Sequence, residues 1–256
     1  MRPLGALAAA DLALLSTLIG DHPVFKVYLA AGLKAERRGA GDRFALIGRE
    51  RKGAALCVRF DGLDVRTAVG RLAADEEIAL ADTAQAAELH LEADAARRVA
   101  SAVADRVGGR EGLRYYRLDG RPDQAADGRC RLLGRADLAV VGSLFRAHYP
   151  AAIFSAWMLD QPFLGLFNDG ELLACGGVVA AAEQIANVGN FLTRPDARGR
   201  GLARAVAATL AHHLADQGMR VLTLGTTDEN PAACRAYEAI GFRCFDRRVQ
   251  LNLAAP

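Results

Sequence analysis

The sequence has few of the residues that build metal sites and redox centres. Its five cysteines are widely spaced, and none belongs to a Cys-x-x-Cys pair or a cysteine–histidine cluster. This spacing argues against zinc and dithiol chemistry and is typical of small core residues in a reducing compartment. The five residues are Cys57, Cys130, Cys175, Cys234 and Cys244. We therefore expect no metal and a cytoplasmic protein.

Long apolar runs and an excess of charge are also absent from the sequence. No segment reaches the roughly 20 apolar residues of a transmembrane helix. Asp11 interrupts residues 1–19, the only stretch that could imitate a signal peptide. The net charge is +2 and aromatic residues make up 6% of the chain, which does not predict a basic face with interleaved aromatics. We expect neither a membrane nor a nucleic acid as partner.

What is present is typical of a protein with a sizeable core, since 52% of the 256 residues are hydrophobic. The most informative stretch begins at the end of a predicted apolar strand, with Phe191, Leu192 and Thr193. Pro195 prevents the strand's hydrogen-bond ladder from continuing. The next residues, up to the start of a periodic apolar helix over residues 204–217, include Arg198, Gly199, Arg200, Gly201, Leu202 and Ala203.

Glycines and a helix start in this order favour a phosphate site. Glycine lets the backbone approach a ligand closely, and a helix N-terminus offers unpaired N–H groups and positive dipole charge. The stretch has neither a Walker ending nor the three-glycine dinucleotide spacing. A solvated basic turn before an ordinary helix is the alternative, and Arg200 in particular fits a surface cation.

A second pattern follows the predicted strand over residues 221–224. Asn230 and Pro231 are a strong helix start, and Gly241 is a good helix stop. Asn230, Ala233 and Tyr237 share one helix face because they lie three and seven residues apart. From these residues alone, Asn230 could be a plain N-cap and Tyr237 a half-buried packing residue.

Together the two stretches resemble the GNAT superfamily of N-acyltransferases. The first is similar to its acyl-CoA pyrophosphate loop, Arg/Gln-x-x-Gly-x-Gly/Ala, and the second to its Asn-x-x-Ala-x-x-x-Tyr…Gly-Phe segment. The resemblance implies acetyl-CoA, or another short acyl-CoA, as cosubstrate and a primary amine as acceptor. It also implies transfer without a metal.

The resemblance also implies roles for individual residues. The strand end at Phe191, Leu192 and Thr193 would splay from its neighbour and pair with the pantetheine arm, and one backbone N–H would polarise the thioester. Arg198 would frame the phosphate loop. The pyrophosphate would be held by the loop and helix-start residues Gly199, Arg200, Gly201, Leu202 and Ala203. Asn230, on a face shared with Ala233, would hydrogen-bond the cofactor arm, and Tyr237 would be the general acid.

The sequence does not identify a general base. The predicted strand over residues 185–193 contains no acid, and Glu183 is expected in a solvated hairpin. We expect an ordered water relay supported by Asn187 or Asn190. Residues before the first strand of this half, namely His148, Tyr149 and Trp157, could shape the acceptor pocket or simply pack, and His212 and His213 are expected to be solvated.

The order of elements is repeated in the two halves of the chain. Each half is predicted to contain two helices, several antiparallel strands and then a strand–helix–strand unit, so we expect an α+β fold of two GNAT-like domains. Each domain would be a mostly antiparallel splayed sheet flanked by helices. A polar segment over residues 119–129 divides them, giving a degenerate domain over 1–122 and a catalytic domain over 129–256. The first half lacks both motifs and is expected to wall the acceptor pocket without catalysing.

Three functions stay open at this stage. The organisation resembles the glycine N-acyltransferase-like branch, which favours a small amine or amino acid as acceptor. A protein or peptide amine is the second, and an acyl-CoA-binding regulatory module without turnover is the third, because the strand has no carboxylate. The sequence also leaves open whether the chain is a monomer or a homodimer.

Overall fold

The computed structural model describes residues 1–36, 43–60, 62–150, 152 and 154–256. The first ten main elements, in chain order, are β1 (Arg2–Pro3), α1 (Ala9–Ile19), α2 (Pro23–Glu36), β2 (Arg43–Ile47), β3 (Gly53–Phe60), β4 (Leu63–Gly70), α3 (Ala74–Ile78), β5 (Ala86–Leu91), α4 (Ala93–Ala102) and β6 (Val107–Asp119). The remaining nine are β7 (Cys130–Leu133), α5 (Leu138–His148), β8 (Phe163–Asn168), β9 (Glu171–Ala182), β10 (Ile185–Thr193), α6 (Leu202–Asp216), β11 (Val221–Thr227), α7 (Pro231–Glu238) and β12 (Arg243–Leu253).

The chain forms two compact units that interleave along the sequence. The first unit comprises Met1–Arg114, Thr227–Glu229 and Asp246–Pro256, and the second comprises Tyr115–Thr226 and Asn230–Phe245. The predicted division was linear, with domains over 1–122 and 129–256, whereas the end of the chain is part of the first unit. There Leu251 of β12 pairs with Leu89 of β5.

The first unit is an antiparallel sheet with one parallel pair. Its strand order is β1-β2-β3-β4-β5-β12, and only β4 and β5 run parallel. The core on one face of this sheet is built from small and aliphatic side chains, with Leu80, Leu89 and Val99 fully buried. These residues come from the region of α3, from β5 and from α4, so the helices after β4 and β5 cover that face.

The second unit repeats this plan. Its strands follow the order β11-β10-β9-β8-β7, with β10 and β11 parallel and the other pairs antiparallel. Helix α6 packs on β8, β9 and β10, and Val206, Leu210 and Leu214 on its inner face are almost completely buried. The predicted α+β class, with mostly antiparallel strands in an open sheet flanked by helices, is confirmed.

The predicted elements differ from the structure in several places, among them β1 and α3, for which no element was predicted. The alanines and valines at helical spacing over residues 94–107 predict a single helix, but α4 ends at Ala102 and β6 begins at Val107. Strand β7 lies in a stretch whose polar surroundings gave no strand signal. A helix predicted over 151–159 falls partly outside the described residues, and the described part contains a 3₁₀ helix at Ala156–Asp160.

Candidate active site

The candidate site lies where β10 and β11 separate. The two strands pair through three rungs, the last of which joins Asn187 to Thr223. Both side chains are buried, and Asn187 Nδ2 donates to the Thr223 carbonyl oxygen at 3.3 Å and to its Oγ1 at 3.0 Å. Strand β10 continues for six residues past this rung, to Thr193, without pairing further with β11. The predicted splay is therefore present, and it opens one edge of β10.

A β-bulge lies on this open part of β10. Gly189 pairs with Gly177 and Leu192 with Cys175, so that Asn190 and Phe191 together oppose a single residue of β9. Asn190 has a φ of 55°, a left-handed conformation that a non-glycine residue seldom adopts. Bulges of this kind re-aim backbone groups and side chains, and they are common beside active sites.

The loop after β10 forms the predicted turn into α6. A 3₁₀ turn at Pro195–Ala197 is followed by Gly199 and Gly201, with φ values of 76° and 73°. A Cβ added at Gly199 would meet nothing within 4 Å, so the space beside this backbone is open. Gly201 is the N-cap of α6, whose first turn contains no acidic residue.

The remaining residues of the loop are placed as follows. Arg198 and Arg200 are exposed; Arg198 Nε donates to the Thr193 carbonyl oxygen at 3.3 Å and Arg200 Nη2 to the Asp196 carbonyl oxygen at 3.1 Å. Both arginines thus hydrogen-bond to backbone carbonyl groups at the strand end and in the loop. Leu202 is buried and anchors the helix start in the core, while Ala203 is half-buried.

One buried polar atom fits a ligand at this strand end. Thr193 Oγ1 is buried and has no hydrogen-bond partner among the described residues. A buried hydroxyl without a partner is unfavourable by about 1–3 kcal/mol. An extended ligand bearing amide groups, laid along the open edge of β10, would supply such a partner, and a diphosphate fits the open glycine turn beyond it. The residues present therefore fit an acyl-CoA.

Helix α7 brings Tyr237 to the same region and begins directly after Asn230. Asn230 is the N-cap and accepts a hydrogen bond from the Ala233 backbone N–H at 3.1 Å. Tyr237 is buried, and its ring lies 5.7 Å from the Phe191 ring and 6.3 Å from the Tyr116 ring. The second pattern therefore meets the first at the bulge.

The environment of Tyr237 keeps its phenol protonated. Burial raises the pKa of Tyr237 well above its ordinary value of 10, and the neighbouring Cys234 and Tyr149 raise it further. At neutral pH the hydroxyl is thus a proton donor. A thiolate formed in the same desolvated surroundings would also become more basic, so a raised phenol pKa does not prevent proton transfer to it.

The other predicted pocket residues lie in varied places. Tyr149 is 48% exposed at the end of α5 yet close enough to Tyr237 to affect its pKa. His148 and Trp157 are exposed, and Glu183 is exposed at the turn between β9 and β10. His212 Nε2 lies 2.9 Å from the Gln124 carbonyl oxygen, so it is not simply solvated.

Two residues near the site were not predicted. Tyr116 of β6 is fully buried, packs on Tyr237 and donates to Glu238 Oε1 at 2.8 Å. Gly176 of β9 is the single residue opposite the bulge. The Gly176-Gly177 pair inside a predicted strand was the available signal, because glycine in a strand often marks a bulge or a close approach.

Within the described part of the chain, no cluster of three or more histidine, cysteine, aspartate or glutamate side chains could hold a metal ion. None of its described helices has the length and apolar character that crossing a membrane requires.

Comparison with known proteins agrees with this geometry. The sequence model of the acetyltransferase (GNAT) family matches residues 139–242, which include the whole site. A mycothiol acetyltransferase of Streptomyces scabiei is 34% identical over 91 residues, which are 35% of this chain and 30% of that protein. The chain thus spans about a third of the length of the curated relatives it matches.

Solved structures extend the likeness in fold to the whole chain. A Drosophila protein superimposes with a TM-score of 0.72 at 17% identity, covering 99% of this chain and 98% of that one. A tandem GNAT protein from the clavulanic acid biosynthesis pathway superimposes with a TM-score of 0.52 at 15% identity, covering 80% of this chain and 79% of that one. Residues 139–242 thus match the acetyltransferase (GNAT) family model, and the chain as a whole shares the fold of the tandem GNAT protein.

Proposed function

We propose that this chain is an acetyl-CoA-dependent N-acetyltransferase that acts on the primary amine of a small molecule. The observation that carries the proposal is the separation of β10 from β11 after Asn187. Around that opening lie a bulged strand, a glycine turn and the protonated phenol of Tyr237. Bound there, acetyl-CoA would supply the acetyl group activated as a thioester.

The open edge of β10 would bind the cosubstrate along Phe191, Leu192 and Thr193. Backbone N–H and C=O groups there would pair with pantetheine amides as an added strand, and Thr193 Oγ1 would gain a partner. Asn230 and Ala233 of α7 would border the pantetheine arm. The pyrophosphate would be bound by the loop and the start of α6, that is, by Arg198, Gly199, Arg200, Gly201, Leu202 and Ala203.

The bulge and Tyr237 would carry the chemistry. A backbone N–H at Asn190 or Phe191 would polarise the thioester carbonyl, as in an oxyanion hole. Tyr237 would donate its proton to the departing thiolate, the role of a general acid. The proton released by the amine would leave through ordered water near Asn190, because β10 contains no acid.

A small-molecule acceptor is favoured over a protein amine. The curated relatives carry a small molecule, mycothiol, in their names. The low identity and partial coverage do not carry that particular substrate over to this chain. We propose that the first unit is a degenerate GNAT-like domain that does not catalyse.

Purified chain, acetyl-CoA and a panel of amines test the proposal. The panel should include amino acids, amino sugars, polyamines and a lysine-containing peptide, with free thiol release as the readout. Amine-dependent thiol release with a small molecule supports the proposal, and release with the peptide alone would change the acceptor class. Tight acetyl-CoA binding without turnover on any amine would instead support a regulatory binding module.

A further inference from the structure

Gly176 lies directly beneath the Phe191 ring. A Cβ added at Gly176 would be 2.2 Å from Phe191 Cδ1 and 2.6 Å from its Cε1. Ordinary carbon–carbon contacts are about 3.5–4 Å, so any side chain here would push the ring away by about 1 Å or more. The absence of a side chain at this one position of β9 therefore lets the ring lie against the strand.

The Phe191 ring also contacts the proposed acid. Its centroid is 5.7 Å from that of Tyr237, with the two planes tilted by 56°. Tyr237 is further bounded by Phe242 at 6.1 Å and Tyr116 at 6.3 Å. Three aromatic neighbours thus fix the ring of Tyr237, and Phe191 is the neighbour that comes from the bulge.

Phe191 therefore links two parts of the proposed machinery, the bulge and the phenol. The backbone of Phe191 belongs to the two-residue side of the bulge, and its partner Asn190 donates from Nδ2 to Met158 Sδ at 3.0 Å. A shift of the Phe191 ring would move the phenol, the bulge or both. Small displacements matter here, since a misplacement of about 1 Å can lower turnover by about 10²-fold.

We propose that Gly176 and Phe191 are positioning residues for acyl transfer: Gly176 seats the Phe191 ring, and the ring sets the positions of Tyr237 and of the bulge. The expected effect on kcat rests on the proposed function, whereas the expected effect on the position of the Tyr237 ring does not. It assigns to Phe191 a role beyond lining the cosubstrate.

The neighbouring Gly177 provides a matched control. A Cβ at Gly177 would lie 2.3 Å from Phe163 Cδ2, a clash as severe as that at Gly176. Because successive strand residues face opposite sides of a sheet, this clash falls on the other face. Phe163 packs with Phe154 at 5.8 Å, and no ring contact joins it to Tyr237 among the described residues.

The test compares Gly176→Ala with Gly177→Ala, and Phe191→Leu with the double variant Gly176→Ala/Phe191→Leu. We expect both single alanine variants to lose melting temperature. Only Gly176→Ala should lower kcat, by about tenfold or more, with acetyl-CoA affinity by calorimetry within a few-fold of wild type. In the Phe191→Leu background, adding Gly176→Ala should have little further effect on kcat, because the ring is gone.

A readout without turnover separates this inference from the proposed function. With labelled tyrosine, the Tyr237 ring resonance, assigned through Tyr237→Phe, should move in Gly176→Ala and stay in place in Gly177→Ala. If wild type shows no turnover but the resonance moves, the proposed function fails, whereas the inference that Gly176 and Phe191 set the position of the Tyr237 ring stands. An unmoved Tyr237 resonance in folded Gly176→Ala, or equal kcat losses in both alanine variants, would overturn the inference.

Discussion

Each unit contains one equivalent parallel strand pair, and the two units differ in the residues that follow the last paired rung. In the first unit β4 and β5 pair as far as Thr67 and His90, and in the second unit β10 and β11 pair as far as Asn187 and Thr223. In both, a buried polar pair closes the last rung: Thr67 Oγ1 lies 3.2 Å from His90 Nδ1 in the first unit. The element order therefore reproduces the splay, and the residues beyond the last rung decide what it can bind.

The first unit satisfies its strand end with its own side chain. Arg248 Nη1 donates at 2.8 Å to the carbonyl oxygen of Ala68, the first residue of β4 past the last rung. Arg248 is also paired with Asp246 at 2.8 Å. In the second unit, by contrast, the buried Thr193 hydroxyl has no partner among the described residues. An added strand would find the first opening already bridged.

The helix starts differ just as clearly in charge. The first turn of α3 contains Asp75, Glu76 and Glu77, whereas that of α6 contains no acid. Glu76 Oε2 accepts from the Ala73 N–H at 3.0 Å, so a carboxylate already caps the α3 start. Since acidic side chains there repel a phosphate, the start of α6 suits the proposed phosphate site and the start of α3 does not.

The largest expected effect comes from Gly201→Asp, which brings the acidic character of α3 to the start of α6. Aspartate is a good N-cap and tolerates a left-handed φ, so the fold should survive. Acetyl-CoA affinity should fall by more than about 100-fold in calorimetry, because the new carboxylate repels the pyrophosphate. Gly218→Asp is the control: Gly218 lies just past the other end of α6 with a φ of 85° and open space around it. Equal losses in the two variants would contradict the cradle.

Tyr237→Phe is expected to lower turnover by about 10²-fold or more, because it removes the phenolic proton and keeps the ring. Acetyl-CoA affinity should stay within a few-fold of wild type and the melting temperature should barely move. Tyr28→Phe is the matched control in the first unit, where burial raises the pKa of Tyr28 to about 12. Full activity of Tyr237→Phe at saturating substrate, with chemistry rate-limiting, would remove Tyr237 from the mechanism.

Turn residues, apolar spacing and helix caps in the sequence were sufficient to predict elements that depend on neighbouring residues. The turn Asn168–Gly170 joins β8 to β9, β10 runs over the predicted residues, and Asn230 caps α7 as expected. Long-range pairing was not accessible: the pattern over residues 94–107 favoured one helix, but β6 takes up Val107. Similarly, nothing local shows that Leu251 pairs with Leu89. The role of Gly176 depends on the register of the bulge, which is also a long-range property.

The buried charges provide a third contrast. Among the described residues, the buried aspartate, glutamate, arginine and histidine side chains lie in the first unit, whereas the second unit buries the neutral polar residues Asn187 and Thr223. Asp64 is fully buried and accepts from Arg66 Nη2 at 2.7 Å. Burial alone would raise the pKa of Asp64, but hydrogen bonds from Arg59 and Arg66 outweigh it and hold the pKa at about 2.

Because the pKa of Asp64 is lower in the folded protein than its ordinary value of 3.8, the ionised carboxylate stabilises the fold at pH values above 3.8. This stabilisation is lost as the pH falls toward 2. Asp64→Asn should therefore lower the free energy of unfolding by about 2 kcal/mol at pH 7. The difference from wild type should shrink between pH 4 and pH 2, as measured by denaturant titration. Asp196→Asn, which removes an exposed ion pair with Arg194 in the second unit, should have no measurable effect. A pH-independent loss in Asp64→Asn would show that the charge of Asp64 is not the cause.

The smallest effect is expected from Glu76→Gln, which tests the expectation that the first unit has no phosphate site. Glu76 caps α3 through Ala73 and also accepts from the Arg49 N–H at 2.7 Å, so losing one acceptor oxygen should destabilise the chain by about 1 kcal/mol. If the carboxylate alone excluded a phosphate, the variant would bind an additional equivalent of acetyl-CoA in calorimetry. We expect unchanged stoichiometry, because Arg248 still bridges the strand end and α3 is only five residues long. Additional binding would mean that one charge, and not the whole strand end, separates the two units.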